Sequence, residues 1–444
     1  MPAPSFYTTA AEVEKALSEA NFPLLKQMRE QGIDFLSIEK VMHHAVSSGS
    51  AACVQFVIDC GYAGSGAAEW GGYHATPLFL AAESGHLECA RLLLPLENVW
   101  VANPLGNCAQ NFAATHGQLE CLRLLTPALT PECPPEPLAL RRIEGQEPRE
   151  TGFYFHARSV AAAAAAGQVE CLRLFAPFFA DFEIDTRASR SPLEMAAEKG
   201  QTEAISFLLR HFPAHEVDAE GNTPLIFAAK AGHELAARAL LPGSRANHAN
   251  RDGNRALEMA LGNGSVPCVE ALASSSALDA RQGPGQNTAL QLAASYGMPA
   301  AIRALMAQGA DARAAGGQGQ TPLMASMIDD MPDCVRILAP HSDLGAMDAE
   351  GRTALAHGVR HKSWAAVDAL LRALNDAEFD AAMRAHADVF STLPKGAFPQ
   401  REARLEAREL AAAVLSAHSA RALPPEQEAA PFARATGPKP NRRI

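Results

Sequence analysis

The stretch GQLECLRLLTP (Gly117–Pro127) is preceded by GHLECARLLLP (Gly85–Pro95) and followed by GQVECLRLFAP (Gly167–Pro177). A cysteine set between a carboxylate and an apolar run suits a metal site, a redox pair or a buried helix face. The spacing of the copies decides among them. Anchoring each copy on its glycine gives Gly49, Gly85, Gly117, Gly167, Gly200, Gly232, Gly264 and Gly297, continued by Asp330 and Lys362. The successive steps are 36, 32, 50, 33, 32, 32, 33, 33 and 32 residues. A period sustained over this length marks a repeat architecture rather than a set of separate domains.

Four residues after each anchor stand Cys53, Cys89, Cys121, Cys171, Ala204, Ala236, Cys268, Ala301, Cys334 and Ala366. Alanine cannot replace a metal ligand or a disulfide partner, whereas it can replace cysteine at a crowded helix contact. Stacked helices lie about 8 to 10 Å apart, too far for the α-carbon separation of about 7 Å or less that a disulfide requires. The six in-phase cysteines are therefore expected in the core as free thiols. Apolar residues seven and eight after the anchor, such as Leu92/Leu93, Leu174/Phe175 and Ile337/Leu338, complete an amphipathic stripe on the second helix of each unit. Small residues four before the anchor, from Ala45 and Ala81 to Ser326 and Gly358, let a first helix pack closely.

The first helix opens at Thr76-Pro77-Leu78, Thr223-Pro224-Leu225 and Thr321-Pro322-Leu323, with variants at Ser191, Thr288 and Thr353. Thr or Ser caps a helix whose first position is Pro. DAEGNT (Asp218–Thr223) and DAEGRT (Asp348–Thr353) are turn sequences ahead of it.

With turn, Thr-Pro-Leu start, paired alanines, glycine and paired leucines in register, the chain resembles the ankyrin-repeat family over residues 37–375. The segments TPLFLAAESGHLECARLLL, TPLIFAAKAGHELAARALL and TALQLAASYGMPAAIRALMAQGAD carry the likeness. The resemblance implies an all-α ankyrin-repeat solenoid of about ten repeats, each a hairpin tip and two antiparallel helices in a curved stack. Pro95, Pro127, Pro177, Pro242 and Pro340 stand ten residues after their anchors, where the second helices are expected to stop early. Cys108-Ala109-Gln110 and Arg158-Ser159-Val160 lack the usual start.

Residues 1–36 read as an N-terminal helical cap, with Thr9-Ala10-Ala11-Glu12 as a capping box and Pro23 to Gly32 as the partner helix. Residues 376–421 read as a C-terminal helical cap and 422–444, rich in proline and arginine, as a disordered tail. Two loops interrupt the array: GYAGSGAAEWGGYH (Gly61–His74), with Tyr62, Trp70 and Tyr73, and an insertion around 128–157, which ends in Phe153-Tyr154-Phe155. Long loops in compact arrays are functional or disordered.

A net charge of −11 and a sequence pI of about 5.8 argue against a surface that wraps nucleic acid or an anionic membrane through summed phosphate contacts. Nine cysteines without a signal sequence suit a reducing compartment, the cytoplasm. Catalytic signatures fail one by one. His233-Glu234 lacks a second histidine at metalloprotease spacing, no Cys-x-x-Cys occurs, and Gly64-Ser65-Gly66 and Gly316-Gly317-Gln318-Gly319 read as turns. His86 and His233 match the Gly-His pair of the family, a structural feature. Cys60, Cys108 and Cys133 stand off the small-residue phase.

The expectation is a non-enzymatic, monomeric protein-interaction scaffold without cofactor or metal. The resemblance implies partner contacts just before each anchor, at Glu83, Thr115, His116, Glu198, Lys199, Lys230, Tyr296, Asp329, Arg360 and His361, and on the tips, at Glu220, Asn222, Asp252, Asn254, Glu350 and Arg352. Trp70, Tyr73 and Tyr154 add aromatic anchors in the interruptions. Two alternatives share this architecture: a bacterial effector translocated into a host cell, and the targeting subunit of an enzyme.

Overall fold

The computed structural model describes residues 6–38, 40–64, 68–70, 73–97, 99, 103, 107–126, 149–179, 190–281, 283 and 285–373. The chain divides into two compact units, Met1–Pro213 and Ala214–Ile444.

The first unit opens with α1 (Phe6–Ser18) and α2 (Phe22–Glu30). Five helix pairs follow: α3 (Val41–Ser47) with α4 (Ala51–Asp59), α5 (Pro77–Ser84) with α6 (Leu87–Leu93), α7 (Ala109–Thr115) with α8 (Leu119–Leu125), α9 (Arg149–Ala166) with α10 (Val169–Phe175), and α11 (Pro192–Glu198) with α12 (Thr202–Leu208). The second unit holds α13 (Pro224–Ala231) with α14 (Glu234–Leu240), α15 (Ala256–Asn263) with α16 (Val266–Ala273), and α17 (Ala289–Ser295) with α18 (Pro299–Ala307). It continues with α19 (Pro322–Ile328) and α20 (Pro332–Leu338), then α21 (Ala354–Arg360) and α22 (Trp364–Ala373). Within each unit, first helices pack on the next first helices and second helices on the next second helices. The order is α3, α5, α7, α9, α11 and α4, α6, α8, α10, α12 in one unit, and α13, α15, α17, α19, α21 and α14, α16, α18, α20, α22 in the other.

Each pair is built the same way. The side chains of Thr76, Ser191, Thr223, Thr288, Thr321 and Thr353 accept a hydrogen bond from the backbone N–H three residues on, which starts the first helix. The anchor then reverses the chain in the left-handed region. Every anchor glycine has a positive φ, and Asp330 (φ 54°) and Lys362 (φ 59°) adopt the same conformation without being glycine. On the second helix the positions four, five and eight after the anchor are buried in every unit, for example Cys89, Ala90 and Leu93, or Ala301, Ile302 and Leu305. Position seven is buried in some units and half-buried in others, as at Leu92 and Leu174, so the inward stripe lies one residue away from the expected four, seven, eight pattern. The small residues four before the anchor are buried as expected. At Gly358, a β-carbon would collide with Met327 and Val367.

The prolines end the second helices as expected. Helices α6, α8, α10, α14 and α20 stop eight residues after their anchors, and α10, α14 and α20 continue as 3-10 turns at Ala176–Phe178, Leu241–Gly243 and Ala339–His341. Helix α18, with no proline there, runs two residues further. Proline is not the sole stop, because α12 ends at Leu208 without one.

Three local expectations are corrected. Helix α1 is already formed at Phe6, so Thr9 lies within it instead of capping it; the residues before Phe6 lie outside the described set. The first interruption folds as a two-stranded antiparallel hairpin, β1 (Ala68–Trp70) and β2 (Tyr73–Ala75), with Trp70 opposite Tyr73. The end of the insertion is not a loop: Phe153-Tyr154-Phe155 belong to α9, which runs unbroken through the Arg158-Ser159 start of its repeat. At residue 255 Arg stands where other repeats have a Thr or Ser cap: Glu258 accepts from the Arg255 backbone N–H (3.0 Å), and the buried guanidinium pairs with Glu258 and donates to the Ala277 carbonyl (2.7 Å). Cys133, residues 127–148, the expected C-terminal cap and the tail lie outside the described residues.

Candidate functional site

The chemistry of the cysteines is that of a core. Cys53, Cys89, Cys121, Cys171, Cys268 and Cys334 are free and at most 1% exposed. Burial pushes the thiols of Cys89, Cys171 and Cys334 up to about 11, which suppresses the reactive thiolate. Among the described residues, no group of three or more His, Cys, Asp or Glu side chains is placed to hold a metal ion.

In several repeats the residue after the anchor joins the preceding repeat. Gln118 donates from its amide to the Glu83 carbonyl (3.3 Å), and Gln201 donates likewise to the Ala165 carbonyl (3.2 Å). His86 lies in the same place against Gly49, in a structural position. At Asp330 the anchor carboxylate itself accepts from the Ala366 N–H of α22 (2.8 Å).

The exposed face of the second helices neutralises its own charge. Glu88 pairs with Arg91 (3.3 Å), Glu120 with Arg123 (3.4 Å), Glu170 with Arg173 (3.1 Å), Glu234 with Arg238 (2.7 Å) and Asp368 with Arg372 (2.9 Å); Asp333 pairs with Arg336. Exposed pairs of this kind stabilise little, but they leave few charges on that face for a partner.

The tips are organised differently. In the second unit, Asp218 Oδ1 accepts from the N–H groups of Glu220 (2.9 Å) and Asn222 (2.7 Å). Asn250 does the same for Asp252 and Asn254, and Asp348 for Glu350 and Arg352. Adjacent tips are tied by backbone bonds from Arg251 to Glu220, Gly283 to Gly253, Gly317 to Gln286 and Ala349 to Gln318, each 2.9 to 3.0 Å. The result is a hydrogen-bonded ribbon of tips held at fixed spacing, an arrangement that presents side chains with little ordering cost.

Between two of these tips and the first helices lies a cleft of about 260 Å³, lined by Glu220, Asn222, Lys230, Asn250, Arg251, Asp252, Asn254 and Met259. It gathers five of the expected contact residues, Glu220, Asn222, Lys230, Asp252 and Asn254, in one place. Lys230 is exposed on α13. Asn222 is an exception to the expectation of an exposed contact. It is buried, and its amide donates to Asp218 (3.0 Å) while its carbonyl accepts from Asn250 (2.9 Å), so it shapes the cleft from within. Asn250, Arg251 and Met259 are lining residues outside the expected set; Arg251, inside the turn after Asn250, was the recoverable signal.

The other expected residues fall in separate places. Glu83 and His116 meet (3.6 Å), and Glu198 pairs with Arg190. Lys199 and Arg360 are exposed at first-helix ends, and Tyr296 is 48% exposed. Glu350 and Arg352 pair with each other (2.7 Å), which removes the expected free charge, and Arg352 also grips Asp348 (2.9 Å). The hairpin carries Trp70 and Tyr73 and α9 carries Tyr154, but their side chains lie outside the described residues. Tyr62 serves the fold: its hydroxyl donates to buried Glu97 (2.8 Å), which accepts from Leu78 N–H (3.0 Å) at the start of α5.

A family model described as ankyrin repeats (3 copies) matches residues 16–103, 42–133, 159–249, 193–282, 236–315 and 290–383. No curated protein sequence matches. Among solved structures, the ankyrin repeat domain of Bcl-3, described as a unique member of the IkappaB protein family, is 21% identical with a TM-score of 0.41, over 44% of this chain and 91% of that one. An ankyrin repeat domain from Acinetobacter baumannii AYE is 24% identical with a TM-score of 0.38, over 41% and 97%. The human ASB11 ankyrin repeat domain is 19% identical with a TM-score of 0.40, over 53% and 98%.

Proposed function

Because the chain belongs to the ankyrin-repeat family, whose repeats are generally protein–protein interaction modules, we propose that it is a non-enzymatic scaffold that captures a protein partner along its tips and first-helix ends. The observation that carries this reading is the cleft of the second unit, which Lys230, Glu220, Arg251 and Asp252 line together with Met259. Charges of both signs on a rigid ribbon suit a partner of mixed charge, with complementarity setting specificity and on-rate. The second-helix face, whose Glu–Arg pairs are already closed, is the solvated side. On this reading the protein acts as a monomer in a reducing compartment, the cytoplasm, which suits its free cysteines. Among the described residues, no helix is long and apolar enough to cross a membrane.

Charge reversal tests the assignment. Lys230→Glu and Arg251→Glu are expected to reduce capture of the partner at least tenfold, and Arg91→Glu and Arg123→Glu to leave it within about twofold, a contrast of about 1.4 kcal/mol per tenfold. Equal losses from both faces would refute the assignment.

A further inference from the structure

The tips DAEGNTPLIF (Asp218–Phe227) and DAEGRTALAH (Asp348–His357) share six of ten residues and differ at four, Asn222/Arg352, Pro224/Ala354, Ile226/Ala356 and Phe227/His357. In the first, Phe227 is buried behind the turn. In the second, His357 takes that place, 1% exposed, and its Nε2 lies 2.7 Å from Asp348 Oδ2. The same carboxylate accepts from Arg352 Nε (3.0 Å) and Nη2 (2.9 Å), while its other oxygen accepts the two N–H bonds that close the turn. The contact needs a proton on Nε2, which the neutral Nε2–H tautomer and the imidazolium both supply; burial favours the neutral form. Nδ1 is then a bare acceptor, and no donor among the described residues reaches it.

We propose that the Asp348–His357 contact is an acid-sensitive latch: protonation of His357 releases the tip at 348–353 together with α21, while the twin tip at 218–223 stays closed. A proton on Nδ1 would be a buried donor without an acceptor, which is costly. It would also place a cation near Arg352 and near His361, whose ring stacks on His357 with centroids 6.1 Å apart. The other charged groups on the surrounding elements are Glu350 on the tip, Arg360 on the same helix, Asp329 at the end of α19, and the Asp368–Arg372 pair on α22. Asp348 alone favours the cation strongly, and burial outweighs it, so His357 is held below the ordinary histidine value. Burial, with Arg360, lowers His361 in the same direction.

The sign follows from linkage. The released segment has an ordinary histidine, near 6.5, and the closed one binds its proton only at lower pH. The closed form is therefore fully favoured above 6.5 and loses ground as pH falls from there toward the closed-form value. Within that window the open population rises by up to about tenfold per pH unit for each histidine. Asp348, held down to about 2, does not titrate in this range. The latch goes beyond the docking reading and rests on it for one consequence only: acid would withdraw Glu350 and Arg352 from a partner.

Hydrogen exchange on the full chain without a partner tests the latch, so its failure leaves the docking reading untouched. After correction for intrinsic rates, opening of peptides covering 348–361 is expected to rise severalfold between pH 6.5 and 5.5, at most about fivefold for each histidine, and opening of 218–231 to change less than about twofold. In His357→Phe, which copies the twin, the pH dependence should fall to that of His361 alone whatever the absolute protection; in His361→Gln the His357 part should remain. Equal pH dependence of the two tips, or an unchanged slope in His357→Phe, overturns the proposal. So does an imidazole titration by NMR that places His357 at or above 6.5.

Discussion

Gly167→Ala tests the joint between repeats. Gly167 has φ +73°, and a β-carbon built there lies 2.5 Å from Gln201 Oε1 and 2.9 Å from its Cδ. The left-handed backbone costs a non-glycine residue about 1 to 2 kcal/mol, and the stiffer unfolded chain returns about 0.4 to 1 kcal/mol of this. Gln201 must also move, which breaks its bond to the Ala165 carbonyl (3.2 Å), a loss of about 1 kcal/mol. The expected net cost is about 1.5 to 2 kcal/mol. Urea unfolding followed by circular dichroism measures it, and a cycle with Gln201→Ala separates the parts. In the Gln201→Ala background the glycine substitution should cost only the backbone part, a coupling of about 1 kcal/mol. A neutral Gly167→Ala, or an equal cost in both backgrounds, would refute the view that glycine is held there by the left-handed turn and the next repeat together. The converse substitution is Lys362→Gly, at an exposed non-glycine anchor with φ 59°, and it should stabilise by roughly 0.5 to 1 kcal/mol.

Cys171→Ala should cost about 1 kcal/mol or less because alanine already fills the site in other repeats, and the six core thiols should react with a maleimide only on unfolding; fast native labelling of Cys121 or Cys171 would contradict their burial. Arg255→Met leaves Glu258 buried without its ion-pair partner and should destabilise by about 3 to 5 kcal/mol in urea titration, whereas joint replacement of Arg255 and Glu258 by apolar residues should recover most of the loss. At the other end of the chain, His43 bonds the Ala75 carbonyl (2.9 Å) and burial holds its value down, so stability should fall as pH drops below about 6.5 and His43→Gln should flatten that dependence. Trp70→Ala and Tyr154→Ala should each weaken partner binding by at least about 1 kcal/mol with folding intact, if the aromatics anchor the complex; no effect from either would make the hairpin and α9 structural cover.

The repeat was legible because each unit writes the same physical requirements at the same positions. Thr or Ser caps, anchor glycines, the Cys/Ala site and the leucine at position eight are local demands of one helix pair, and period alone aligns them. The burial of position five was equally readable, since Val54, Ala90, Leu122 and Ile205 are all apolar. The hairpin was signalled too: Gly71-Gly72 between Trp70 and Tyr73 is the two-residue pattern of a tight turn. Other features depend on a neighbour about 33 residues away and leave no local mark. Gln201 closing over Gly167 is one, and Asn222 turned inward by Asp218 and Asn250 is another. The extension of α9 through Thr151-Gly152 overrides local breakers, and Thr9 resembles a cap inside a helix that begins upstream. The cleft followed from the expected contact positions only in part, because turn bonds and the Glu350–Arg352 pair consume side chains that exposure rules would leave free.

The most direct test of docking along the tips and first-helix ends is site-specific photo-crosslinking with the full chain in its own cell lysate. A photoreactive residue would be placed at position 230 or 296 on the first-helix side, and at position 235 on the second-helix side, where Leu235 is 66% exposed. The expected result is one protein crosslinked in stoichiometric yield from positions 230 and 296, competed by unlabelled chain but not by its Lys230→Glu variant, with no such product from position 235. A saturable product from position 235 alone, or none that the unlabelled chain competes, would contradict the account.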